Sequence, residues 1–134
     1  MLKVYAIIYK NIGSDKLELV IKHFNELTTD ELFEIYKLRV EVFVVEQNCP
    51  YQDVDYADRV SYHLYLRDEE GIQAYSRVIP AGAKFEHVSI GRLLTIKRRA
   101  GLGRRIMEES IRVAREKFNA DLIEIEGQVY VNKL

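Results

Sequence analysis

The sequence predicts an α/β (α+β) chain, a mixed and twisted β-sheet flanked by helices. Strand-like and helix-like segments follow one another in the order ββ-α-β-β-β-α-β. Three consecutive strands precede a β-α-β crossover, which combines antiparallel with parallel pairing. The 134 residues contain no repeat and no low-complexity linker, so one domain over residues 1–134 is expected.

Residues 2–9 and 17–24 read as two strands, with Asn11-Ile12-Gly13-Ser14-Asp15 as the turn between them. Leu27-Thr28-Thr29-Asp30-Glu31-Leu32 is a helix start. Thr28 is the N-cap, Glu31 its capping-box partner, and Leu27 and Leu32 occupy the hydrophobic-staple positions. Leu32, Ile35, Tyr36, Val40, Phe43 and Val44 then follow helical spacing on one face, up to a stop at Asn48-Cys49-Pro50. Residues 50–60 read as a polar, acidic loop. Ser61–Arg67 and Ile72–Ile79 form a hairpin through Asp68-Glu69-Glu70-Gly71, and Val88–Ile96 is the next strand. Leu102–Phe118 is a helix that buries Gly103, Ile106, Met107, Ser110, Ile111, Ala114 and Phe118. Leu122–Glu126 is a further strand.

Composition narrows the functional classes. Hydrophobic residues at 48% and charged residues at 31% are globular values and argue against disorder. No segment approaches the roughly 18 apolar residues of a membrane span, so no membrane partner is expected. The N-terminus lacks the order of a secretion signal. Cys49 is the single cysteine, which excludes an internal disulfide framework and fits a reducing, cytoplasmic location. His23, His63 and His87 are scattered, so no metal site is expected.

The net charge of −1 conceals segregation. From Lys97 to Lys117 there are eight basic and three acidic residues, and from Glu46 to Glu70 seven acidic and two basic. A basic segment suits an anionic ligand and an acidic one a cationic ligand, although both also suit solvated faces. Nucleic acid is the weaker partner for 97–117, because that segment has no aromatic stacking residue.

Inside the basic segment, Arg98-Arg99-Ala100-Gly101-Leu102-Gly103 joins a strand to a helix. Two glycines let the backbone turn and approach a ligand, and free N–H groups at the helix start favour an anion. The inference is a phosphate cradle. It lacks the third glycine of a dinucleotide fingerprint, where Ile106 stands. It also lacks the Lys and hydroxyl of a P-loop, where Arg104 and Arg105 stand.

The remaining pattern looks like the acetyl-CoA signature of the GNAT N-acyltransferases. A second segment, Leu38-Arg39-Val40-Glu41-Val42-Phe43-Val44-Val45-Glu46-Gln47-Asn48-Cys49-Pro50-Tyr51, closely resembles the signature of the ElaA-like branch of that family. Asp53, Asp55, Asp58, His63, Ala74-Tyr75-Ser76-Arg77 and Ile90-Gly91-Arg92 match its pattern in order.

The resemblance implies an acetyl-CoA-dependent N-acetyltransferase acting on a primary amine of a small molecule or peptide by direct attack. Acetyl-CoA would lie in a V-shaped opening between two central parallel strands. The backbone of Leu94, Thr95 and Ile96 would hold the pantetheine. Arg98, Arg99, Ala100, Gly101, Leu102, Gly103 and Arg104 would surround the pyrophosphate, and Asn132 is a weaker candidate for a pantetheine or nucleotide contact.

Direct attack requires a base for the ammonium, a donor for the oxyanion and an acid for the thiolate. Glu46 and His63 are the catalytic candidates, with Asp53 and Asp55 as further possible bases. Glu46 is equally readable as a helix-end carboxylate held by Arg39 or a backbone amide, and His63 as a packed strand histidine. Arg39, Gln47, Tyr51, Asp53 and Asp55 are the acceptor-side candidates, although the aspartates also suit loop shaping.

The sequence departs from the family pattern at three places. The link from Ile90-Gly91-Arg92 to the glycine loop is shorter. Residues 1–23 read as an extra N-terminal β-hairpin. The family continues past Gly127-Gln128-Val129-Tyr130 to a helix with a general-acid tyrosine and a final strand pair, whereas this sequence ends at Leu134. That reads as a C-terminally short member with a bare edge on the last strand, which the N-terminal hairpin of this or a second molecule would cover, or which two chains would pair edge to edge as a homodimer. The alternative function is a catalytically impaired homologue that only binds acetyl-CoA or acts as an interaction module.

Overall fold

The structure is a computed structural model that describes residues 17–96 and 101–126. The expected strand over residues 2–9 lies outside the described residues. Its partner is observed as β1, Glu18–His23. The chain continues through α1 (Thr29–Arg39), β2 (Tyr62–Asp68), β3 (Gly71–Ile79), β4 (Val88–Thr95), α2 (Leu102–Phe118) and β5 (Ile123–Ile125). The five strands form one sheet in chain order, β1 to β4 antiparallel and β4 to β5 parallel. The expected α/β class with a mixed sheet is what forms.

Local sequence chemistry sets the helix ends. The Glu31 N–H donates to Thr28 Oγ1 at 3.1 Å and the Thr28 N–H to Glu31 Oε1 at 2.9 Å, the reciprocal capping box. At the other end of the crossover, Asn119 takes the left-handed conformation that terminates α2, and its N–H reaches Arg115 O at 3.0 Å.

The sheet separates two cores. One face packs on α2, where Leu102, Ile106, Met107, Val113 and Ala114 meet Leu64, Leu66, Ala74, Val78 and Ile90. Val113, absent from the predicted face, is buried, while Ile111 is only partly so. Ser110 is tolerated in this apolar seam because its hydroxyl donates to Ile106 O and meets Ser76 Oγ, each at 2.6 Å. The other face packs Ile35, Tyr65, Tyr75 and Leu94 beneath α1.

Two expectations are corrected. The first helix does not stay α-helical to residue 48. It gives way after Arg39 to a π-helical segment, Val40–Glu46, closed by the Cys49 N–H on Val44 O at 3.0 Å. The β-branched run there is poor at regular helix formation. The buried stripe consequently runs through Ile35 and Arg39, and leaves Phe33 and Val40 exposed. Second, the polar, acidic loop expected over residues 50–60 is partly ordered and partly enclosed, although Tyr51, Gln52, Tyr56, Arg59 and Val60 stay exposed. The segment contains a 3-10 turn, Tyr56–Val60, and buries Asp53 and Asp58 almost completely.

Candidate functional site

The parallel pairing of β4 with β5 covers only Val88–Ile90 against Ile123–Ile125, and is closed by the Glu126 N–H on Ile90 O at 2.8 Å. β4 runs on to Thr95 with no β5 partner among the described residues. A bulge marks the point of departure. Tyr75 pairs with Leu94 and Arg77 with Gly91, so Arg92 and Leu93 together oppose Ser76. Arg92 adopts a positive φ of 52° there.

The Ile90-Gly91-Arg92 triplet acquires a physical reading from this geometry. Gly91 leaves space for the Glu126 carboxylate, whose oxygens would stand 2.9 Å from any β-carbon at that position. Arg92, turned by the bulge, donates from Nη1 to Glu126 Oε2 at 2.5 Å and from Nε to Asp53 Oδ1 at 2.9 Å. Lys84, from the β3–β4 loop, reaches Glu126 Oε1 at 3.1 Å and Asp55 Oδ2 at 3.4 Å.

Behind this mouth lies a buried ionic network. Arg39, fully enclosed, donates from Nε to Asp53 Oδ2 at 3.0 Å, from Nη1 to Asp58 Oδ1 at 2.6 Å and from Nη2 to the Asp53 carbonyl at 2.8 Å. Arg77, also fully enclosed, donates from Nη1 to Asp55 at 2.6 Å and to Asp58 at 2.9 Å. Arg39, Arg77, Arg92 and Lys84 thus face Asp53, Asp55, Asp58 and Glu126, four charges against four. Burial opposes ionisation of Asp55 and Asp58. The arginine hydrogen bonds and charges outweigh it and hold both carboxyls below their ordinary range.

These pairings place the acceptor-side candidates. Asp53 and Asp55 are matched by arginines rather than open to an incoming cation. Tyr51 is part-exposed, lays its ring 5.4 Å from the Arg92 guanidinium and donates to Asp53 Oδ1 at 2.8 Å. Burial and that bond push its hydroxyl up to about 12. Gln47 and Glu46 are exposed at the end of the π-helical segment, and Arg39 is spent on the aspartates instead of on Glu46. His63 is enclosed. Its Nε2 lies 2.9 Å from the Asp58 carbonyl and its Nδ1 2.7 Å from Tyr75 Oη. A carbonyl only accepts, so Nε2 carries the proton and Tyr75 donates to Nδ1. Burial pushes His63 down to about 4.

On the cofactor side, the Ile96 N–H is committed to Gln73 O at 2.9 Å. Strand alternation then turns the Thr95 peptide away from β3, toward the open side. Leu94 is a core residue. Gly101, at a φ of 84°, caps α2, so the N–H groups of its first turn (Leu102, Gly103 and Arg104) open the helix without any acidic residue among them. This donor-rich start beside the free end of β4 fits a pyrophosphate followed by an extended pantetheine arm. Arg98, Arg99, Ala100 and Asn132 lie outside the described residues.

Arg77, Arg92, Lys84 and Glu126 were not singled out as site residues from the sequence. An arginine inside each of the apolar strand runs 74–79 and 88–96, beside an Asp-x-Asp-x-x-Asp spacing, is a signal that could have found Arg77 and Arg92, and no comparable signal marks Lys84 or Glu126.

No family model matches the sequence. A UPF0039 protein of Schizosaccharomyces pombe is 41% identical over 107 residues, which cover 78% of this chain and 70% of that protein. Among solved structures, an acyl-CoA N-acyltransferase from Pseudomonas aeruginosa is 35% identical with a TM-score of 0.78, covering 87% of this chain and 82% of its own. Escherichia coli ElaA is 28% identical with a TM-score of 0.81, covering 88% and 82%.

Proposed function

The chain belongs to the ElaA-like (UPF0039) branch of the GNAT acyltransferases, and on that premise we propose that it is an acetyl-CoA-dependent N-acetyltransferase acting on a primary amine of a small molecule or peptide. The observation that carries the reading is the juxtaposition of two features. β4 runs past the end of its pairing with β5, and a glycine-capped helix start free of acidic side chains follows it. The first offers an extended backbone edge to an amide-containing arm, and the second offers N–H donors to phosphate.

Acetyl-CoA supplies the thioester carbonyl that the amine attacks. The chain's own contribution is positional. The Arg92–Glu126–Lys84 cluster fixes the mouth of the opening, and the buried aspartate–arginine network fixes the segment over it. An amide of β4 that faces the open side, such as that of Thr95, is placed to donate to a developing oxyanion.

Calorimetric titration with acetyl-CoA and with CoA, followed by transfer assays on a panel of primary amines, tests the proposal. Saturable binding of both ligands with turnover of at least one amine is expected. Absence of binding overturns it. Binding without transfer to any amine favours an impaired homologue.

A further inference from the structure

Asp53 and Asp55, which the sequence offered to a cationic acceptor, are taken up by arginines. A different acidic surface lines a cavity of about 260 Å³ between α1, the β2–β3 turn and the end of β4. Glu34, Glu41 and Glu70 line it against one cation, Lys37, which Glu41 holds at 2.8 Å. Leu38, Ile72 and Ile96 form its apolar wall. A second cavity of about 270 Å³ shares Glu34, Gly71 and Ile72 with the first, so the two form one groove. The second adds Asp30 and Glu31 against Arg67. Glu31 is paired with Lys22 and Arg67 with Glu18. Asp30 and Glu34 form no ion pair among the described residues. They stand four residues apart on one helix, where like charges share a face and repel.

A buried acceptor in the same groove is an independent sign of a ligand. Gln73 lines the first cavity and is only 3% exposed. Its Nε2 lies 3.3 Å from Asp68 Oδ1 and 3.5 Å from Gly71 O, and since both of these only accept, the orientation of the amide is fixed. That leaves Oε1 buried with no hydrogen-bond partner among the described residues. An N–H donor from a ligand would satisfy it. No three of the described carboxylates come together as a metal site. Carboxylates spread along a groove, a buried carbonyl acceptor and an apolar wall are instead the complement of ammonium groups joined by methylenes.

Ile96 joins this groove to the proposed site of transfer. Its N–H bonds Gln73 O at 2.9 Å, and it directly follows Thr95, with consecutive Cα atoms about 3.8 Å apart. We propose that the groove binds an aliphatic di- or polyamine as the acyl acceptor, one cationic end held among Asp30, Glu34 and Gln73 Oε1 and the other directed to the Thr95 end of β4. The inference rests on the acetyltransferase reading above. The reacting end attacks as the neutral fraction of the amine. Its lone pair forms the N–C bond at the thioester carbonyl, the C–S bond breaks, and the amine proton leaves with the sulfur as CoA thiol. The held end keeps its charge throughout.

Calorimetric titration of the full chain with spermidine, butylamine and acetyl-CoA, followed by transfer kinetics with the two amines, tests this. The wild type is expected to bind spermidine saturably and at least about tenfold more tightly than butylamine, which has a single ammonium. Glu34→Gln, at an exposed position without an ion pair, is expected to fold and to weaken spermidine by about threefold or more. Gln73→Leu is expected to weaken it by about tenfold or more. In both variants the preference in kcat/KM for spermidine over butylamine falls with the affinity, while the affinity for acetyl-CoA stays. Should Gln73→Leu fail to fold, Glu34→Gln alone decides. A wild type that binds acetyl-CoA but not spermidine, or variants that keep the wild-type affinity for spermidine, overturn the groove proposal and leave the acetyltransferase reading standing. Spermidine binding without acetyl-CoA binding defeats the acetyltransferase reading, and the acceptor role with it.

Discussion

The Glu126 carboxylate lies directly over Gly91, with both oxygens 2.9 Å from where a β-carbon would stand. The carboxylate is the far end of a flexible side chain, but Arg92 and Lys84 hold it at 2.5 and 3.1 Å, so it cannot swing aside without breaking those bonds. Gly91→Ala is therefore expected to destabilise the fold by about 1–3 kcal/mol. Adding Glu126→Ala should recover part of the loss. Urea denaturation of the two single variants and the double variant measures the coupling, and simple additivity would show that the contact carries no energy.

Asp58 is the hub of the buried network, since Arg39 and Arg77 both donate to its Oδ1, at 2.6 and 2.9 Å, with all three side chains inaccessible. Replacing it with Ala leaves two guanidinium groups short of a counter-charge in the interior. A loss of about 3–5 kcal/mol is expected, as for a buried pair broken from one side. The measurement is the denaturation midpoint. A change of under about 1 kcal/mol, typical of a surface pair, would show that the network is solvated.

The two kinds of signal in the sequence had different reach. The capping box at Thr28 and Glu31 and the apolar spacing of residues 102–118 were legible because both are encoded within a few residues. The network was not, because Arg39, Arg77 and Arg92 meet Asp53, Asp55 and Asp58 only after α1, β3 and β4 are assembled. Read locally, the aspartates looked like an acidic surface waiting for a cation. The same limit hid Glu126, whose partner Gly91 lies on another strand. Residue identity at the site was visible in the motifs, while the partner of each charge was a matter of topology.

His63 sets a pH dependence that precedes acid denaturation by the carboxylates. Its folded value near 4 lies below the ordinary 6.5, because burial penalises the imidazolium. The unfolded chain therefore binds the extra proton first. The His63 contribution is complete above pH 6.5 and is lost toward pH 4, by about 1.4 kcal/mol per pH unit at most and about 3 kcal/mol in all. Asp55 and Asp58, held below their ordinary range, add further loss below about pH 4. Denaturation curves across pH 4–8 check this. His63→Gln should flatten the profile between 6.5 and 4, and an unchanged slope would assign it to another group.

Gly101 and Gly82 allow backbone strain to be separated from ligand contact. Both have left-handed φ, 84° and 85°, and neither has a heavy atom within 4 Å of where a β-carbon would stand. Alanine at either position costs about 1–2 kcal/mol through the conformation alone. Only Gly101 opens the helix proposed to receive the pyrophosphate. Gly82→Ala should therefore lose stability and keep its affinity for acetyl-CoA. Gly101→Ala should lose similar stability and bind at least about tenfold more weakly, a loss on the order of 1.4 kcal/mol or more. Thermal melts and calorimetric titrations of the two variants provide the comparison. Equal affinities would reduce Gly101 to a helix cap and move the phosphate cradle elsewhere.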